Sequence, residues 1–140
     1  MNINQNFGVA IHILTILSLS KDEYTTSKRI AESVNTNPVV VRRILKELAD
    51  HNLIITKQGR FGSKLNPNLD DISFYDVYKI FYDGYVIKPT HQPNDSCPVG
   101  MHINDVMCEM LDDVNKGFEE MLKKHTINQI KNKMEERLWK

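Results

Sequence analysis

Arg42, Arg43 and Lys46 follow Pro38 in the stretch TNPVVVRRILKEL, from Thr36 to Leu48. At 100° per residue they share one helical face with Val39. Val41, Ile44, Leu45 and Leu48 keep the i, i+3, i+4, i+7 spacing of a second, apolar face about 150° away. Guanidinium groups on an otherwise free face suit guanine edges and phosphates, and a valine at the leading end suits a thymine methyl. Asn37 and Pro38 belong to the start of the same helix. Thr26, Ser27 and Lys28 open the preceding helix, where unpaired N–H groups suit phosphate. Gln58, Arg60 and Lys64 flank the glycines of a short hairpin and suit DNA backbone or minor groove.

A second chemistry rests on a thiol. In CPVG, Pro98 at a first helical position would put Cys97 at the N-cap, where the helix dipole favours a thiolate, the form that reacts with peroxide, hypochlorous acid or another thiol. Cys108, ten intervening residues on, falls about 120° from the middle of the next helix's apolar stripe. Spacing alone leaves a Cys97–Cys108 disulfide open. His91, Cys97, His102 and Cys108 match no strong zinc pattern, so no metal site and no cofactor is expected. Tyr75, Tyr78, Phe81, Tyr82 and Tyr85 are candidate lining for a small-molecule pocket, although such spacing more often means core. No glycine-rich phosphate cradle and no nucleophile–base pairing stands out, so no catalytic residue is assigned and an enzyme is not expected.

These side chains need elements to hold them. A helix from about Asn6 to Ser20 is apolar nearly all round, which requires burial on more than one side. Thr25 or Thr26 caps a second helix to about Val34, with Ile30, Ala31 and Val34 inward. Asn35 or Asn37 caps the third, which runs to about Asp50. Leu53 to Lys57 and Ser63 to Leu65 read as strands turned at Gly59 and Gly62. That order is a winged helix-turn-helix, with the third helix offered to the major groove. Ser73 and Asp76 make a capping box for a helix to about Asp83. Residues 84–102 hold three of the five prolines and no period, a loop long enough to be functional. A long helix follows from about His102 to Lys124, with Ile103, Val106, Met110, Val114, Phe118 and Met121 as its stripe and Met107 and Leu111 alongside. Thr126 and Gln129 box a last helix, on which Trp139 is read as a docking residue. The fold class is mainly α with a small β-hairpin wing. Residues 1–66 form the expected DNA-binding domain, and 67–140 a helical sensing-loop and dimerisation region.

Net charge is zero, yet residues 1–66 carry nine Lys/Arg against five Asp/Glu, and 67–140 carry nine against thirteen. The basic front half suits an anionic partner. Two cysteines give no disulfide framework, and GVAIHILTILSL is too short for a membrane span and lacks a charged leader. A cytoplasmic protein with no membrane partner is expected.

Together, NPVVVRRIL, the G-x-x-G wing, ISFYDVYKIF and the CPVG loop before a long helix resemble the Rrf2 family of bacterial winged-helix transcription regulators, over nearly the whole chain. The resemblance implies a homodimer on the long helices, an imperfect inverted-repeat operator of double-stranded DNA, and a sensing loop ahead of the dimer helix. Family wings often read Arg-Gly-x-x-Gly-Gly-Tyr; here Gln58 replaces the arginine, and Arg60 lies two residues on. Cluster-binding members carry three closely spaced loop cysteines, whereas this chain has only two cysteines, so an iron–sulfur cluster is not expected. The leading expectation is a dimeric, sequence-specific repressor with a Cys97 redox or electrophile switch. The alternatives are a regulator responding to a small molecule without redox chemistry, and a winged helix used for protein docking. A docking face should be more apolar than the Arg42, Arg43, Lys46, Arg60, Lys64 surface.

Overall fold

Thr26, Asn37, Ser73 and Thr126 each turn a side-chain oxygen onto an unpaired N–H of the helix that follows, which sets where those helices begin. The computed structural model describes residues 3–57 and 62–139. Over these the order is α1 (Ile3–Leu19), α2 (Ser27–Val34), α3 (Pro38–Asp50), β1 (Ile54–Lys57), β2 (Gly62–Leu65), α4 (Phe74–Phe81), α5 (Pro98–Lys123) and α6 (Ile127–Leu138). Gln58, Gly59 and Arg60 lie outside the described residues. Both expected capping boxes close in both directions, Ser73 with Asp76 and Thr126 with Gln129.

α1 is the central column. Ala10, Ile13, Leu14 and Leu17 are fully buried, and the helix packs on α2, α3, α4, α6 and β2. Its polar residues are satisfied locally: Thr15 donates to the Ile11 carbonyl at 2.8 Å and Ser18 to that of Thr15 at 2.7 Å, so their burial leaves no hydroxyl unpaired. One cluster of buried side chains joins Ile13, Ile30, Val41, Ile44, Leu48, Ile54, Val77 and Ile127. Each large aliphatic side chain so buried contributes about 1.5–3 kcal/mol.

The hairpin pairs Ile54 with Leu65 and Thr56 with Ser63, which puts Ile54, Thr56, Ser63 and Leu65 on one face. Thr25 joins the β2 edge, exchanging backbone bonds with Ser63 at 2.8 and 2.9 Å. Gly62 makes that approach possible: its φ is +89°, and a Cβ there would lie 2.0 Å from the Thr25 carbonyl oxygen. A second tie joins the starts of α4 and α6, with the Ile127 N–H donating to the Ile72 carbonyl and the Phe74 N–H to that of His125, both at 2.8 Å.

α5 begins at Pro98, ahead of the His102 that periodicity suggests. The apolar stripe starts late because the first turn is set by contacts to the incoming loop. Pro98 fills the first helical turn, and a Cβ on Gly100 would meet the Asn94 carbonyl oxygen at 2.1 Å. The loop then lies along α5 as a strap. Asn115, 5 % exposed, accepts from the Val86 and Ile87 N–H groups at 2.6 and 3.2 Å and donates to the Ile87 and Leu111 carbonyls. Asn104 donates to the His91 carbonyl at 3.3 Å.

Candidate nucleic-acid interface

α3 is held by Val41, Ile44, Leu45 and Leu48, all buried, and its other side faces solvent. Val39 at the leading end is 58 % exposed. The Asn37 side chain accepts from the Val39 N–H at 2.8 Å, so this end is fixed while its valine stays free. Arg42 and Arg43 are both exposed. Among the described residues no hydrogen bond or ion pair engages either guanidinium. Lys46 differs, because its ammonium pairs with Asp50 at 2.8 Å. That carboxylate raises its pKa, chiefly through the hydrogen bond.

A groove of about 930 Å³ runs between α2, α3 and the wing, lined by Thr26, Ser27, Lys28, Arg42, Leu45, Lys46, Ala49, Thr56, Lys57, Gly62 and Ser63. It brings together three separate predictions: the α2 start, Arg42 and Lys46, and the base of the hairpin. Arg43 sits elsewhere. It lines a smaller cavity on the opposite flank of α3 with Asn6, Ile44, Glu47, Ile80 and Phe81. One hundred degrees between neighbours on a helix is enough to send the two arginines to different sides.

The sequence reading missed Tyr24, Thr56 and Lys57. The Lys57 and Lys64 ammonium groups both lie over the Tyr24 ring, 5.0 and 5.1 Å from its centroid, a cation–π arrangement at the wing base. Alternation along Leu53 to Lys57 would have placed Thr56 with Ile54, but only the Thr25–Ser63 pairing puts Tyr24 beside Lys64. Gln58 and Arg60 of the expected wing contact are among the residues not described.

At the other end, Cys97 is exposed at the α5 N-cap. The Gly100 and Val99 N–H groups near its sulfur hold the thiol below the ordinary range. Cys108 lines a tight cleft beneath the strap with Tyr85, Ile87, Pro89, Leu111 and Asn115. The two cysteines are eleven residues apart along one helix, about 16 Å at 1.5 Å per residue, which excludes a disulfide within the intact helix. The apolar stripe of α5 faces solvent in this chain: Val106, Met110, Val114, Phe118 and Met121 are all exposed, and Ile103 is half-buried. Phe118 also meets Tyr78 edge-on at 5.5 Å. Trp139, expected to dock the last helix, is 83 % exposed. Instead, α6 is held through Ile127 and Ile130.

Residues 3–133 match a family model described as Rrf2, iron-dependent transcriptional regulator. YwnA of Bacillus subtilis (strain 168), named as an HTH-type transcriptional regulator, is 37 % identical over 131 residues, which cover 93 % of this chain and 97 % of YwnA. A solved structure described as a DNA binding protein is 33 % identical with a TM-score of 0.69, covering 89 % of this chain and 97 % of its own. The B. subtilis global cysteine regulator CymR shares the fold at 16 % identity and a TM-score of 0.63, covering 94 % of this chain and 97 % of CymR. The iron in the family description finds no fit here. The two thiols are too far apart to ligate together, and among the described residues no three His, Cys, Asp or Glu side chains converge. With a family model spanning most of the chain and a relative alike over nearly its full length, this chain belongs to the Rrf2 family of transcriptional regulators, which are not enzymes.

Proposed function

We propose that this chain acts as a homodimeric repressor that reads an imperfect inverted repeat in double-stranded DNA through α3 and the wing. The observation that carries the reading is the groove where the α2 start, Arg42, Lys46 and the wing base meet. Its chemistry suits a duplex. Arg42 and Val39 would address base edges, while Thr26, Ser27, Lys28 and Lys64, and Arg43 from the other flank of α3, would hold phosphates and set register. The surface around α3 favours DNA over an apolar docking partner, because Val39 is the only exposed large hydrophobic residue of the described front half. The exposed α5 stripe supports a seam between two copies, which would place two recognition helices about 34 Å apart, one turn of DNA. Repression would follow from occupying an operator that overlaps a promoter.

The switch we propose is Cys97. Its thiolate attacks a peroxide oxygen, the O–O bond breaks, hydroxide leaves, and a sulfenic acid forms at the start of α5. This alters the helix on which the dimer seam stands.

Titration against operator and scrambled duplexes at several salt concentrations tests the DNA reading. Arg42→Ala should lose about 1–3 kcal/mol of discrimination. Lys64→Ala should weaken binding to both duplexes alike and shrink the salt slope by about one. An affinity independent of salt would overturn the reading.

A further inference from the structure

The cavity between α1, α3 and α4 lies apart from the groove at the wing and shares only Arg43 with the proposed DNA surface, and its lining is chemically specific. It holds about 210 Å³, against roughly 30 Å³ per water in the liquid, so it has room for a molecule of a few carbons. Asn6 lines it and is 5 % exposed, and solvent still reaches its amide, which bonds no other described side chain or carbonyl. Arg43 and Glu47 stand one turn apart on its α3 wall. No ion pair joins them in the structure, and arginine ahead of the acid is the weaker order for such a pair. Ile44, Ile80 and Phe81 supply an apolar side. A simple anion would meet Glu47, and a simple cation would meet Arg43.

We propose that this cavity binds a free α-amino acid with a small apolar side chain. Its carboxylate pairs with Arg43, its ammonium with Glu47, and the Asn6 amide completes the polar contacts, while the side chain lies against Ile80 and Phe81. Occupancy engages the Arg43 guanidinium and so weakens operator binding. That consequence rests on the DNA reading above; the binding itself does not.

Calorimetric titration of the full chain without DNA, using L-alanine, L-valine and L-leucine, tests the site. Isovalerate and isobutylamine serve as versions of valine lacking one charge. Saturable binding of L-valine at least about tenfold tighter than either single-charge probe is expected. Glu47→Gln, checked for an unchanged melting profile, should weaken L-valine about tenfold while isovalerate binds no more weakly than to the parent. The proposal is overturned if none of the three amino acids gives saturable heat, or if Glu47→Gln binds L-valine as the parent does. A protein that failed to bind DNA would still give this titration, so the two readings fail separately.

Discussion

At Cys97 the backbone, not a neighbouring base, changes the chemistry. The N–H groups of the first α5 turn have no carbonyl to pair with, and those of Gly100 and Val99 favour the charged sulfur. A lowered thiol pKa means that the thiolate persists as pH falls, and disappears only below that lowered value. Iodoacetamide labelling of Cys97, followed by mass spectrometry against pH, should therefore show a midpoint below that of a cysteine in an unstructured peptide. Cys97→Ser should leave operator binding intact and abolish its response to peroxide; an unchanged response removes the sensor role. The residue CPVG pattern was readable in advance. The reason for its glycine was not, because the Asn94 carbonyl that presses on Gly100 comes from a loop with no period.

Among the elements, α3 was the most legible, since a four-residue apolar face, a capping asparagine and a proline at the first turn all agree. The hairpin register and the third edge supplied by Thr25 were not legible, being contacts between distant segments. The strap along α5 is the least expected element, and its start is held by one buried amide, that of Asn115. Asn115→Leu keeps the volume but removes the bonds to Val86 and Ile87, leaving their N–H groups unpaired at a cost of about 1–3 kcal/mol. Hydrogen exchange at Val86 and Ile87 should accelerate, with α3 unchanged. Equal exchange rates in parent and variant would show that the strap is held some other way.

For the whole molecule, the decisive feature is an apolar stripe that the described residues leave largely open to solvent. Met110 at 70 % and Val114 at 51 % exposure sit in the middle of a 26-residue helix, and water contact over such a length favours association. A charge there should block it. Met110→Glu is expected to sediment as a monomer and to lose most of its operator affinity, since each half-site would then bind alone. A dimer that survives the charge places the seam elsewhere.

The helix starts, the two faces of α3 and the order of elements follow from neighbours in sequence, because capping, periodicity and turn chemistry act within a few residues. The amino-acid sequence therefore determined by itself the class of fold and the family. Long-range packing decided the rest: Arg42 and Arg43 opening on different cavities, two lysines over the Tyr24 ring, and Asn6 sharing a cavity with Glu47. Those juxtapositions come from α1 filling the centre of the molecule, and no local pattern records which side chains meet around it.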